Sequence, residues 1–197
     1  TLDTGDTVVL TAASAGTTLT GTYTVGAGDT SSDLTVSSFA IGTVADAAGN
    51  AMTSTAVPSG SNNLGGSSAI VIDTTAPAIT GTTVTSNNAS IAVTFSEAVY
   101  NTSGGSGALE ASDFSLTLSG GTATLSSATL SSISYSSNTY TLALSLSGTP
   151  NGTETITVVP SSSTAIYDAV GNAASTSQSN NTLTMNDKTV PTLSSVS

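Results

Sequence analysis

The sequence predicts an all-β fold in which short strands form two-sheet sandwiches, and three observations lead to this prediction. The chain contains 38 Thr and 36 Ser among its 197 residues, and Thr alternating with Val, Leu or Ile suits the half-buried surface of a strand. Short alternating segments are separated by Gly, Asn and Asp turn signals. No segment of a dozen residues has helical periodicity, and no apolar run reaches eighteen residues. The sequence therefore predicts neither a long surface helix nor insertion into a membrane.

Composition excludes several functional classes. Twelve acidic residues face a single Lys, which gives a formal net charge of -11. Such a chain repels nucleic acid and anionic membranes, so neither is an expected partner. Histidine and cysteine are absent, and with them the common proton shuttles and activated nucleophiles. We therefore predict that the protein is not an enzyme.

Two short motifs occur twice in the chain. The hexapeptide IDTTAP at 72–77 returns as NDKTVP at 186–191, and the pentapeptide DAAGN at 46–50 returns as DAVGN at 168–172. Their period of about 115 residues is close to the size of one small domain. Because Pro fixes its own φ and pushes the preceding residue toward extended geometry, each hexapeptide is interpreted as a stiff junction between modules.

The two copies are unequal in length. Residues 1–73 form a module that lacks the counterpart of residues 78 to about 120, 74–77 form a linker, and 78–187 form a complete module. Residues 188–197 are a second linker followed by the first strand of a following or donated module. A sandwich that lacks two or three strands is expected to expose apolar side chains and open strand edges. The chain is thus predicted to be a window on a longer tandem array.

In the first module the apolar pattern predicts short strands around residues 8–10, 22–25 and from Leu34 to Val36. Residues 58–68 are rich in Pro, Gly, Ser and Asn, which predicts a loop. The apolar run at 69–72 is predicted to close the module.

The second module is more regular. Ile91, Val93 and Phe95 alternate with small or polar residues, which is the pattern of a strand with one buried face. The predicted strands are 79–84, 91–96, 114–118, 122–125, 129–135, 139–147, 153–159 and a stretch ending at Ile166. With seven to nine short strands and no helix, a two-sheet sandwich is the economical arrangement.

These motifs together resemble bacterial immunoglobulin-like repeats of the cadherin-like kind, which occur in very large extracellular adhesins. The residues that carry the resemblance are Tyr23, Thr24, Val25, Gly28, Asp29, Ser32, Asp33 and Leu34, the segments 46–50 and 72–77, and the segment FSEAV at 95–99. The resemblance implies tandem immunoglobulin-like β-sandwiches. The second copy departs from the pattern, with Lys188 and Val190 in place of Thr74 and Ala76.

The same resemblance implies structural calcium at module junctions. Asp46, Asp73 and Glu97 come from a loop, a linker and the start of the next module, and they would supply the hard oxygen ligands that calcium requires. An alternative interpretation is that an Asp at the start of a Gly-Asn turn only forms the turn. The candidate metal ligands are Asp46, Asp73, Glu97, Asn50, Asp29, Asp33, Asp168 and Asp187.

The expected function is that of a structural repeat in a secreted or cell-surface bacterial protein, acting as a spacer or as a filament-forming segment. The expected partners are neighbouring modules or identical subunits joined head-to-tail, in which the strand at 190–197 of one subunit completes the first module of the next. The alternative is an adhesin module that binds surface glycans, with the loop at 103–108 as the recognition element. The five Tyr residues could stack on sugars, although capping the core is the commoner use of such residues.

Overall fold

Antiparallel strands dominate the fold, and the all-β prediction is confirmed. The structure is a computed structural model that describes residues 1–127 and 130–195. Two compact units are present, Thr1–Thr75 and Ala76–Ser197. Among the described residues, no helix is long and apolar enough to cross a lipid bilayer.

The first unit contains one pair of strands. Strand β1 (Thr30–Ser31) pairs antiparallel with β2 (Ile72–Asp73), with Ser31 opposite Ile72. Elsewhere in this unit isolated bridges replace regular strands, such as the one between Leu2 and Val36. The only buried residues of positions 1–75, all of which are described, are Leu2, Ser31 and Leu34.

Several predictions for the first unit are wrong. Residues 8–10 and 22–25 lie outside all strands, and the predicted strand at Leu34 is reduced to the bridge at Val36. Alternation identifies a sequence that can form a strand, but the strand exists only where a partner completes its hydrogen bonds. The hydroxyl of Tyr23 instead donates to the carboxylate of Asp29 at 2.7 Å.

Residues 58–68, predicted as a loop, contain two helical turns. A 3-10 turn spans Gly60–Asn62, and helix α1 spans Leu64–Ser67. The side chain of Asn63 accepts a hydrogen bond from the Leu64 N–H at 2.6 Å, which satisfies one of the donors at the start of α1. A Cβ on Gly66 would lie 2.0 Å from the carbonyl oxygen of Gly60, so only glycine fits where the two turns meet.

The second unit holds nine strands among its described residues. They are β3 (Ile79–Val84), β4 (Ser90–Phe95), β5 (Phe114–Ser119), β6 (Thr124–Leu125), β7 (Ile133–Ser136), β8 (Thr139–Ala143), β9 (Leu146–Ser147), β10 (Thr155–Pro160) and β11 (Thr182–Thr184). One sheet has the order β3-β4-β8-β7, a second has the order β11-β10-β5, and β6 pairs with β9. A 3-10 turn at Ala111–Asp113 precedes β5.

Most strands of the second unit match the prediction, and three regions differ. The predicted strand at 139–147 is split, because β8 pairs with β7 and β4 whereas β9 pairs with β6. The stretch ending at Ile166 forms no strand, and β11 was not predicted. Thr129, the predicted start of β7, lies outside the described residues.

The two larger sheets of the second unit share one apolar core. Ile91, Val93 and Phe95 of β4 are at most 2% exposed, and Ile156 and Val158 of β10 belong to the same cluster. Three aromatic rings meet within this cluster: the centroids of Phe95 and Tyr140 lie 5.9 Å apart, and those of Phe95 and Phe114 lie 6.3 Å apart. The alternating face predicted for β4 is therefore its buried face.

Candidate functional site

The two copies of the DAxGN motif fold into the same hydrogen-bonded turn. In the second unit the Oδ1 atom of Asp168 accepts from the N–H groups of Gly171 at 2.6 Å and Asn172 at 2.8 Å, and the Asn172 side chain donates to Oδ2 at 2.7 Å. In the first unit Asp46 accepts from the N–H of Asn50 at 2.8 Å and from its side chain at 2.8 Å. The carboxylate therefore organises the turn in both copies.

The two turns differ in burial. Asp168 is fully buried, whereas Asp46 is exposed. Hydrogen bonds from the Asn50 side chain and backbone hold the pKa of Asp46 below its ordinary value. Gly171 and Gly49 have φ values of 106° and 89°, which side-chain-bearing residues rarely adopt.

The structure brings Glu97 close to Asp168. Both residues belong to the second unit, and each offers a carboxylate oxygen within 4.8 Å of the other. Tyr100 and Tyr167 exchange two backbone hydrogen bonds of 2.8 Å, which bring the segment after β4 beside the Asp168 turn. Two carboxylates this close repel each other, and they form an all-oxygen ligand set of the kind that calcium prefers.

The junction hexapeptides also share a local geometry. The Asp73 carboxylate accepts from the Thr75 N–H at 2.9 Å, and the Asp187 carboxylate accepts from the Thr189 N–H at 2.8 Å. The Thr189 hydroxyl also donates to Asp187, and these bonds lower the pKa of that carboxyl. Each Asp therefore forms the turn that follows it.

The remaining predicted ligands serve local contacts. Asp29 accepts from the Tyr23 hydroxyl and from the Gly26 N–H at 2.6 Å, and the Tyr23 contact is the main cause of its lowered pKa. Asp33 is exposed. In the described part of the chain, no cluster of three or more possible metal ligands includes Asp29, Asp33, Asp46 or Asp187. The calcium hypothesis for Asp46, Asp73 and Glu97 as one set stays a prediction.

The sequence patterns did not identify Glu154 and Asn88 as buried polar residues. Glu154 is fully buried and accepts from the N–H groups of Thr122, Ala123 and Asn151 at 2.9 to 3.0 Å. Glu154 lies two positions before the buried Ile156, and residues at this spacing share one face of a strand, so the sequence pattern could have predicted its burial. Asn88 is 2% exposed, and nothing in its local sequence distinguished it from the other Asn residues.

Comparison with models of protein families, with curated proteins and with solved structures finds no match to this chain. The observed fold defines its class as an all-β protein of antiparallel sheets.

Proposed function

We propose that this chain is a structural repeat segment of a secreted bacterial surface protein, built from tandem immunoglobulin-like β-sandwich modules. Two features support the proposal. The pentapeptide and hexapeptide motifs recur with the same local hydrogen bonding, as expected of repeated modules. The two larger sheets of the second unit share a single core, as expected of a sandwich.

The observation that carries a mechanical role is a set of hydrogen bonds between the beginning and the end of the second unit. Strand β3 lies at one edge of the four-stranded sheet, and β11 lies at one edge of the three-stranded sheet. The edge clamp is a set of hydrogen bonds between residues in or shortly after β3 and residues on either side of β11. Its contacts are Asn88 to Asn186, Thr82 to Asn180 and Ile79 to Gln178.

Asn88 is the most strongly bonded member of the edge clamp. Its Nδ2 donates to the Asn186 carbonyl at 2.7 Å, and its Oδ1 accepts from the Asn186 N–H and Nδ2 at 3.0 Å each. Tension applied to the two ends of this unit would pull on residues near β3 and β11. The clamp resists their separation because several hydrogen bonds must break together. A spacer that passes tension along a fibre needs this property.

Single-molecule stretching of the full chain, with handles attached at both ends, tests the mechanical role. Unfolding of the second unit should release roughly 400 Å of chain in one step. The Asn88→Gly variant removes the clamp side chain while it keeps a residue suited to the φ of 59° at this position. We expect a loss of about 2 kcal/mol in the free energy of unfolding and a lower unfolding force, since three hydrogen bonds are lost.

Ser137→Gly is the matched control, because Ser137 has a φ of 53° and lies outside the edge clamp. It should leave the unfolding force unchanged. An Asn88→Gly variant that unfolds at the wild-type force, or a second unit that extends gradually without a distinct step, would contradict the mechanical role.

Calcium is the proposed structural ion, and Glu97 with Asp168 would hold it in the second unit. Calcium takes six to eight oxygen ligands, so backbone carbonyls and water would complete the shell. Bound calcium would offset the repulsion between the two carboxylates and tie the segment after β4 to the Asp168 turn.

Thermal melts of the full chain with added calcium and with a chelator test the ion. We expect calcium at about 100 times its Kd to stabilise the second unit by about 2.7 kcal/mol. The Glu97→Gln variant should lose this dependence. Glu110→Gln, an exposed substitution of the same type, should keep it. A melting temperature that is the same with calcium and with chelator means that the unit holds no structural calcium.

The proposed partners are neighbouring modules or identical subunits joined head-to-tail, and the proposed location is the cell surface or the extracellular medium. The acidic, hydroxyl-rich composition fits this location because it disfavours nucleic acid and keeps the chain in solution. No catalytic group is required for a mechanical role.

A further inference from the structure

An exposed aromatic ring lies on β7 in the second unit. Tyr135 is 68% exposed, and it is directly opposite Tyr140 in the pairing of β7 with β8. The two rings are stacked, with centroids 5.7 Å apart and planes 24° apart. One face of the Tyr135 ring therefore lies against Tyr140, and the other face is open to solvent.

Tyr140 fixes the orientation of this pair. It is 6% exposed, its ring meets Phe95 edge-on at 5.9 Å, and its hydroxyl donates to the carbonyl of Val99 at 3.2 Å. A ring held by core packing and by a hydrogen bond keeps one orientation, so Tyr135 stacks on a rigid support. Preorganisation of this kind lowers the entropic cost of binding a ligand.

A cavity of about 380 Å³ lies beside the stacked rings. Its walls include Tyr100, Ser106, Leu109, Tyr135, Ser137 and Tyr140. This volume is within the range of small-molecule sites in proteins.

The loop that forms one wall of the cavity is held in place. Gly105 and Gly107 have φ values of 73° and 81°, and a Cβ on Gly105 would lie 2.9 Å from the carbonyl oxygen of Ala169. The hydroxyls of Thr102 and Ser106 are 2.9 Å apart, and the Thr102 hydroxyl also donates to the Ser106 carbonyl. Glycine at both positions lets the loop adopt these positive φ values beside the cavity.

The lining of the cavity contains hydroxyl groups and apolar side chains but no charged residue among the described positions. The net charge of the chain, -11, disfavours an anionic ligand. A pyranose ring offers one face of C–H groups for an aromatic ring and hydroxyls around its rim for Ser and Tyr hydroxyls. An uncharged sugar therefore matches both the open face of Tyr135 and the hydroxyl groups of the walls.

We propose that the cavity beside Tyr135 binds a neutral pyranose sugar, which stacks on the open face of Tyr135 and hydrogen-bonds to the hydroxyls of Ser106 and Ser137. This binding role goes beyond the mechanical role and does not depend on it. A single shallow site of this kind gives weak affinity, and repeated modules raise the overall avidity.

NMR titration of the isotope-labelled full chain tests the site. The probes are methyl glucoside, methyl galactoside, methyl mannoside and N-acetylglucosamine. Each is added up to roughly 50 mM so that binding with a millimolar Kd is detected. We expect saturable shifts at residues 135–140 and 105–109 with at least one of them. Tyr135→Ala should weaken that binding by at least about tenfold, because it removes the stacking face.

Tyr135→Phe is the matched control, since it keeps the ring and removes only the hydroxyl. It should bind within about threefold of the wild type if stacking is the main contribution. Ser106→Ala should weaken binding by a smaller factor than Tyr135→Ala. Melting temperatures of the three variants check that each remains folded.

Three outcomes would overturn the proposal. The first is the absence of saturable shifts with all four sugars. The second is equal binding by Tyr135→Ala and the wild type. The third is binding of tetramethylammonium but of no sugar, which would identify the ring as a cation site.

Discussion

Glu154 is a carboxylate buried beneath a glycine turn. Burial by itself raises the pKa of Glu154. Hydrogen bonds from the backbone N–H groups of Ala123, Asn151 and Thr122 lower the pKa by a larger amount, so that it is about 2 instead of 4.5. A Cβ on Gly121 would lie 2.1 Å from Oε1 of Glu154. The Gly120-Gly121 pair therefore leaves room for a buried anion that accepts three backbone N–H groups from two segments, 122–123 and 151–154.

The Glu154→Gln variant should destabilise the second unit at neutral pH. A Gln amide replaces one acceptor oxygen by a donor that faces backbone N–H groups, so we expect its melting temperature to fall by roughly 5 °C. The folded pKa is below the unfolded value, so the stabilisation by ionised Glu154 is present above pH 4.5 and is lost as the pH falls toward about 2. Melts at stepwise lower pH should show the gap between the two proteins closing over this range.

Glu110→Gln is the control for that experiment, because it makes the same change at an exposed position. It should melt close to the wild type at neutral pH. A Glu154→Gln protein with the wild-type melting temperature at neutral pH would show that the buried hydrogen bonds do not depend on the charge. A gap that stays constant down to the lowest pH would point to altered packing instead.

Whether an apolar pattern becomes a strand depends on the partner that the chain places beside it. The sequence predicted β3, β4, β5 and β10 within a few residues. Each of these strands has six residues, and apolar residues alternate along β4, β5 and β10. Residues 22–25 have a similar pattern but form no strand, since no neighbouring segment pairs with them. Strand β11 was missed because Leu183 is the only apolar residue in its three positions.

The candidate ligands were predictable only in part, for the same reason. Repetition identified Asp46 and Asp168 as equivalent residues, and the turns that they form are local. The approach of Glu97 to Asp168 depends on the pairing of Tyr100 with Tyr167, which are 67 positions apart in the chain. The sequence around either residue does not predict that pairing. The edge clamp could not be predicted from the sequence for a similar reason, since the residues that it joins are about 98 positions apart.

At the scale of the whole molecule, the exposed apolar side chains are unevenly distributed. Of the large hydrophobic residues that are exposed, the first unit contributes Val9, Leu10, Leu19, Val25, Met52 and Val71. The segment 189–195 lies in no strand, and its Val190 and Leu193 are 79% and 83% exposed. These two sets of side chains are the ones that the proposed head-to-tail association would cover.

Sedimentation velocity over a range of protein concentrations tests this association. We expect the full chain to form larger species as its concentration rises, and the double substitution Val190→Ser with Leu193→Ser to weaken association by at least about tenfold. Val170→Ser is the control, because Val170 is 48% exposed and lies in the Asp168 turn. Equal association by the double variant and the wild type would show that the segment 189–195 does not mediate the association. If the full chain stays monomeric at all concentrations, head-to-tail association is excluded, and neighbouring modules remain the proposed partners.

Lys188 has a consequence for resistance to proteolysis. It is exposed, its backbone N–H donates to the carbonyl of Pro150 at 2.8 Å, and it is the only basic side chain of the sequence. Digestive enzymes with the specificity of trypsin cut after basic residues, so this sequence offers them one place to cut. Asn186 lies before this cleavage site, so the larger fragment would contain both Asn88 and Asn186 and would keep the hydrogen bonds between them. The second unit would therefore remain folded after cleavage.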